Sequence, residues 1–293
     1  MASDARLTLS AVTRLTGLSA HLVRAWESRY GFPTGDRTRG GHRRYSTVEA
    51  ERLRQAAILT RSGIRAADAI AMIRAQSPRP GAAVSTELFA GTLARQLIAG
   101  DKLGSLMQLR ESWLAFGLST TLETVAFPAL RRVGELWASG EISVAEEHAA
   151  SGIVGSWLGS LRTDFPWDDR AVSVLIAAPE GEEHAAGVWA LELLLGERGI
   201  PSLALGASVP TEDLVAEVRR RRPRALVLGV ARRQLRPVLH KVLAKAMELP
   251  ASQRPLLLAG GAGTAGTMPD GLERLTGTVS EAAARIERLL AAR

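Results

Sequence analysis

The sequence predicts a multi-domain chain of α and α/β class: an N-terminal winged helix-turn-helix, a middle helical bundle and a C-terminal Rossmann-like domain on a parallel sheet. Three observations predict it. The first is charge. Residues 1–80 hold 14 arginines, no lysine and 6 acids, while the remainder holds 23 basic and 24 acidic residues. The +7 net charge of the 293-residue chain therefore sits entirely in its head, which points to a nucleic-acid partner. The second is a middle stretch with helical periodicity and no strand-like run. The third begins at Arg170, where the apolar runs "AVSVLIAA", "SLALG", "ALVLGVA" and "PLLLAGG" alternate with amphipathic segments. Strands apolar on both faces, alternating with helices, belong to a parallel sheet covered on both sides.

The expected division is a DNA-binding head over 1–76, a linker over 77–85 ("SPRPGAAVS" is Pro/Gly/small), a helical bundle over 86–166 and an α/β domain over 167–293. "FPWDD", Phe165 to Asp169, marks the last boundary. Hydrophobic residues make up 46% of the chain, enough to fill several cores. With no cysteine, disulfides, thiolate metal sites and thiol nucleophiles are excluded. The N-terminus lacks a signal-peptide pattern and no apolar run reaches membrane-spanning length, so the expected location is the cytoplasm, without membrane contact.

In the head, "LSAVTRLTGLSAHLVRAWESRYG" reads as helix, glycine turn, helix, with Ser19 capping the second helix. Ala11, Val12 and Leu15 are expected to pack on Leu22, Val23 and Trp26, which leaves Ala20, His21, Arg24 and Arg29 to face a groove. "GDRTRGGHRRYS" follows. Two glycines between Arg37, Arg39, Arg43 and Arg44, closed by Tyr45, suit a tight hairpin wing against a phosphate backbone. A third helix should begin at Thr47-Val48-Glu49. A solvated basic loop beside a helical pair is the plainer reading, but the ordered series, with Arg-x-x-Gly-Gly-x-Arg-x-Tyr at its centre, is specific. "VRAWESRYGFPTGDRTRGGHRRYS" resembles the MerR family of winged-helix regulators. The resemblance implies a dimer on a pseudo-palindromic double-stranded operator, with its recognition helix in the major groove and its wing on the flanking backbone. MerR metal sensors use cysteines, so here the effector must be something else.

After the run "AVSVLIAA" comes Glu182-x-His184-x-x-Gly187; "GVA" follows from Gly229, then Gly260-Gly261 behind "PLLLA". Alone, His184 reads as an ordinary turn histidine. Together the three marks resemble the cobalamin-binding fold of corrinoid enzymes. That resemblance implies that His184 is the lower axial ligand of cobalt. A ligating histidine gives its other N–H to a carboxylate, and Glu182 is placed for it. Gly187, Gly260 and Gly261 let backbone approach a bulky ligand. Gly229 stands where the pattern has serine, which removes a hydroxyl contact to the nucleotide tail.

In the middle block, Trp137 is followed after nine residues by Glu147-His148. Ser139-Gly140 should end one helix, and Ser143 with Glu146 forms a capping box that opens the next. By themselves a core tryptophan and a solvated acid pair would explain these residues. In a bundle that precedes a cobalamin fold they resemble the light-responsive, cobalamin-dependent MerR-type repressors of the CarH/LitR type. That resemblance implies that Trp137 covers the upper corrin face and its adenosyl group, with Glu147 and His148 at the upper ligand. It also implies adenosylcobalamin as cofactor, light as the signal, a homo-oligomer that goes from dimer to tetramer with ligand in the dark, and repression by competition with RNA polymerase. In some of these photoreceptors a histidine follows the tryptophan; here it is Ala138. Two alternatives stay open: a regulator whose cobalamin fold has become ligand-independent, and a corrinoid methyl-carrier or other cobalamin enzyme. The basic head argues against the enzyme.

Overall fold

The computed structural model describes residues 6–37, 43–61, 64–75, 86–162, 172–266 and 268–292. The chain divides into two compact units, Met1–Trp157 and Leu158–Arg293. The linker expected over Ser77–Ser85 and the boundary expected at Phe165–Asp169 lie outside the described residues.

The first unit opens with strand β1 (Arg6–Thr8) and helices α1 (Leu9–Thr16) and α2 (Ala20–Tyr30). Each helix starts where a hydroxyl satisfies an orphan N–H: Thr8 Oγ1 accepts from Ala11 and Ser19 Oγ from Leu22, both at 3.1 Å. Each stops at a left-handed glycine, Gly17 (φ 66°) or Gly31 (φ 60°). Strands β2 (Asp36–Arg37) and β3 (Arg43–Ser46) form the wing, and β1 pairs with β3 to give an antiparallel sheet in the order β1-β3-β2. Helices α3 (Thr47–Arg61) and α4 (Ala66–Ala75) close the head over Val12, Val23, Trp26, Phe32, Tyr45 and Leu53.

The bundle comprises α5 (Thr86–Ile98), α6 (Lys102–Phe116), the short α7 (Leu118–Thr120), α8 (Phe127–Ala138) and α9 (Val144–Arg162). A π-helical stretch, Thr121–Ala126, joins α7 to α8. Leu93, Leu97, Leu109, Leu122 and Val125 are among its fully buried side chains.

The second unit carries a five-stranded parallel sheet. Its strands are β4 (Val174–Ala177), β5 (Ser202–Ala204), β6 (Ala225–Gly229), β7 (Leu256–Gly260) and β8 (Glu273–Leu275). Helices α10 (Ala186–Glu197), α11 (Thr211–Arg221), α12 (Arg236–Met247) and α13 (Val279–Ala291) alternate with them. The order is β5-β4-β6-β7-β8. From β4 the chain steps one way to β5, then crosses back to β6 on the other side. The order reverses between β4 and β6, and open α/β sheets bind ligands beyond the carboxyl ends of the strands at such a switch point. The fully buried residues of β4 explain its unbroken apolar sequence.

Candidate functional site

Elements on both sides of the switch point build the lower half of the site. Pro179 to Ala185 turn β4 into α10. Glu182 lies at the base of this turn with its side chain fully enclosed, 0% exposed, while His184 projects with 55% of its side chain open to solvent. The two are 2.5 Å apart, Nδ1 to Oε1. A carboxylate has no proton to give, so the ring's Nδ1–H donates and the in-plane lone pair of the imidazole is on Nε2. That is the tautomer an axial metal ligand needs, held by the carboxylate that such ligands require.

Glu182 is fixed in turn by the loop after β6. Ala231 and Arg232 N–H donate to its Oε2 at 2.8 and 3.1 Å, and His184 N–H donates to Oε1 at 3.1 Å. Burial alone would raise the carboxyl's pKa; the four converging hydrogen bonds outweigh it and bring the value down to about 2. The Arg232 guanidinium reaches over the turn, 3.8 Å from Glu182 by Nε, and Nη2 donates to the Gly181 carbonyl. From β5, Ser208 Oγ accepts from Gly181 N–H at 3.0 Å, and Ser208 N–H donates to the Glu182 carbonyl at 2.9 Å. Ser208 itself has φ 50°, a region that disfavours side chains, so this brace is held against a local cost. Sequence reasoning missed Ala231, Arg232 and Ser208. Backbone donors have no sequence signature, and nothing local marks Ser208 as left-handed.

The glycines divide into two kinds. A Cβ on Gly187 would meet nothing within 4 Å, so this first turn of α10 presents an open surface beside His184. Gly261 (φ 102°) is packed against backbone: a Cβ there would lie 2.3 Å from the Val230 carbonyl oxygen. Gly229 and Gly260 are in register across β6 and β7, and a Cβ on Gly229 would come within 2.9 Å of Val188 Cγ2. The residues fit a corrinoid: one oriented imidazole, a fixed counter-carboxylate and, at Gly187, an open first helical turn beside them.

The expected upper residues lie in the first unit. Trp137, in the last turn of α8, is 48% exposed. The connection 139–143 contains Gly140 at φ 78°, and Ser143 and Glu146 form the expected capping box at the start of α9. Glu147 Oε2 lies 2.7 Å from His148 Nδ1 and Ser151 Oγ donates to its Oε1 at 2.6 Å, so Glu147 orients His148 as Glu182 orients His184.

In the head, His21, Arg24 and Arg29 are exposed along α2, the face expected to meet DNA. Two expectations are corrected. Leu22 is exposed, because the inward stripe of α2 runs through Val23, Trp26 and Tyr30 and leaves Leu22 beside it on the solvent side. Tyr45 is completely buried and cannot touch a phosphate. Side chains alternate along β3, so Tyr45 and Arg43 point to the helices and Arg44 to the opposite face. Arg43 accordingly pairs with Glu27 of α2 at 2.5 Å, which ties wing to recognition helix. Arg37 ends β2, and Arg39 lies outside the described residues.

Known proteins resemble this chain in sequence and in fold. Residues 7–76 match the MerR HTH family of regulatory proteins and residues 90–162 match the B12 binding domain family. The HTH-type transcriptional repressor CarH of Myxococcus xanthus is 31% identical over 226 residues, covering 73% of this chain and 75% of that protein. The repressor CarA of the same organism is 27% identical, covering 77% of each. The monomethylamine corrinoid protein of Methanosarcina barkeri superposes with a TM-score of 0.54 at 15% identity, over 70% of this chain and all of that one, a likeness of fold.

Proposed function

Since the chain belongs to the family of CarH-type transcriptional repressors, DNA-binding regulators that join a MerR head to a B12-binding module, we propose that it represses its operator in response to adenosylcobalamin, with light as the releasing signal. The observation that carries this reading is His184, turned outward on the buried Glu182 carboxylate at the sheet's switch point. His184 would hold cobalt from below through Nε2. Glu182 keeps the proton on Nδ1, and the amides of Ala231 and Arg232 keep Glu182 ionised. Gly187 leaves the surface beside His184 open for the macrocycle, while Gly229, Gly260 and Gly261 let the strand ends and the loop after β7 pack closely beneath it. Bound adenosylcobalamin supplies a cobalt–carbon bond that light cleaves.

In this reading the functional division is a DNA-binding head over 1–76, a capping bundle over 86–166 and a cobalamin domain over 167–293, acting in the cytoplasm as a regulator and not as an enzyme. Among the described residues no helix is long and apolar enough to cross a membrane. Trp137, Glu147 and His148 are the bundle residues that would recognise the adenosyl group. Ala138 has no donor atom, so His148 is the imidazole assigned to that side. Contact of Trp137 with the adenosyl group would favour one state of the bundle, and without the group that preference would be gone, because a ligand shifts an equilibrium only by binding its states unequally. Assembly from dimers to a tetramer places several heads on adjacent operator sites and raises apparent affinity through effective concentration. The bound tetramer excludes RNA polymerase from the promoter.

The test is size-exclusion chromatography with in-line light scattering, dark and illuminated, with a visible spectrum of each peak and operator binding measured in parallel. The expected result is a cobalamin-loaded tetramer in the dark that becomes smaller and loses DNA affinity in light. The same oligomer in both states would overturn the light switch. Equal operator affinity with and without cobalamin would favour ligand-independent use of the fold.

A further inference from the structure

The end of the α/β domain away from His184 carries a dense run of positive charge. His184 lies beyond the carboxyl end of a strand. Between parallel strands the helices run back to the amino ends, so their last turns collect at the opposite end of the sheet. The turn from α11 into β6 lies there, and five of the six residues from Arg219 to Arg224 are arginine. Residues 158–293 hold 18 basic and 16 acidic residues, so without this run the unit would be acidic.

Three of these arginines serve the fold. Arg220 and Arg221 both donate to Glu217 Oε2 at 2.7 Å, and Arg224 Nη2 donates to the Leu290 carbonyl in the last turn of α13. Arg219 and Arg222 are exposed, and among the described residues their guanidinium groups meet no acid or carbonyl. Cations in a last helical turn offset the helix dipole, which is reason enough for Arg219, Arg220 and Arg221. It does not account for Arg222. This residue follows the helix end at φ 49°, a left-handed position that ordinarily takes glycine. Ser208, at φ 50°, uses its side chain to brace a turn; Arg222 turns its side chain to solvent, so the strain at 222 returns nothing to the fold.

We propose that Arg219 and Arg222 make a second DNA contact, on the phosphate backbone flanking the operator. A guanidinium stays charged and its fork of donors matches two phosphate oxygens at once. Two exposed arginines can meet such a backbone without a cavity. The polyanion is at hand, because the head of the same chain binds the operator and so holds its flanks at high effective concentration to the rest of the chain. Phosphate contacts position a protein and carry no base information, so this contact sets the length of DNA covered and leaves the sequence read to the head. It rests on DNA binding by the head and not on the cobalamin reading.

The test uses the full chain as wild type, Arg219→Ala/Arg222→Ala, Arg219→Lys/Arg222→Lys and Arg222→Gly. Affinity is measured over a salt series on an operator duplex with long flanks and on one trimmed to the operator, with melting temperature and scattering mass taken on the same samples. On the long duplex the alanine pair should bind more weakly, with a log–log salt slope lower by about two per subunit engaged, and the lysine pair should keep the slope. On the trimmed duplex all four should bind alike. Arg222→Gly should melt above wild type, since glycine suits φ 49°, and yet lose about one unit of slope on the long duplex. A purely structural role for Arg222 cannot move stability and binding in opposite directions. Wild-type affinity and slope for the alanine pair on the long duplex would overturn the proposal. So would an equal loss on both duplexes, which would place the effect in the head, or a changed oligomer with an unchanged slope, which would give the run to a contact between copies.

Discussion

Replacing Glu182 by glutamine changes one oxygen for NH2 and leaves the shape intact, so its effect isolates the orientation of His184. The carboxylate accepts four hydrogen bonds on two sides: Ala231 and Arg232 amides on Oε2, His184 N–H and Nδ1–H on Oε1. Glutamine keeps one acceptor. Two amides in a fixed loop cannot reorient, so the acceptor turns to them and the NH2 faces the His184 ring. Nδ1 must then accept, which moves the ring proton to Nε2 and removes the lone pair that cobalt needs. Both bonds to Oε1 are given up, that of the His184 amide and that of the ring; the ring's is charge-assisted and worth about 1.5–3 kcal/mol net. The expected loss of cobalamin affinity is therefore roughly tenfold to a hundredfold, within the range typical of partners that orient a metal's histidine. The dark titration should show this, together with a spectrum that shifts toward that of His184→Ala. Wild-type affinity and spectrum in Glu182→Gln would refute the argument that this carboxylate sets the tautomer.

Three further outcomes follow from the packing. Arg44→Ala should lower the log–log salt slope of operator binding by about one, while Arg43→Ala, whose guanidinium is held by Glu27, should reduce affinity with little change of slope; the reverse pattern would invert the assignment of the two wing faces. Tyr45→Ala should cost about 3–5 kcal/mol through the cavity it opens in the head, measured by denaturant unfolding, and an unchanged midpoint would contradict its core position. Arg162→Met leaves the Glu192 carboxylate, 2% exposed, without its ion-pair partner and should cost about 3–5 kcal/mol. Burial already raises the Glu192 pKa, against the Ala204 amide and Arg162. A carboxyl raised in the folded state disfavours folding once ionised, so the Arg162→Met penalty should be largest above the ordinary carboxylate range and shrink as pH falls; a pH-independent penalty would count against the buried charge.

What the sequence made readable was whatever local chemistry decides. Ser19 and Ser143 announce helix starts because a hydroxyl at that position satisfies amides two or three residues away, and both caps form. The four apolar runs became strands because a doubly covered strand has no polar positions to confuse it. Glu182 and His184 were legible as a pair because two residues and one turn contain the whole interaction. The misses are non-local. β1 is three residues long and exists only because β3 lies beside it, and β8 likewise depends on β7. The face of Tyr45 depended on a register that one residue would invert. The amides of Ala231 and Arg232 come from a loop some fifty positions after Glu182 and could have belonged to any two residues.

Trp137 has a consequence for observation as well as for binding. Trp26, Trp113 and Trp157 are buried, whereas Trp137 leaves nearly half its surface in water. A solvated indole emits to the red of an enclosed one and is open to collisional quenchers. The chain therefore carries a natural fluorophore at the end of α8, separable by colour and accessibility from those three. Whatever comes to cover that indole will be announced by a blue shift and by protection from iodide, and a chromophore that absorbs in its emission band will darken it. Events on the cap can thus be followed with no label, in the protein as it is made.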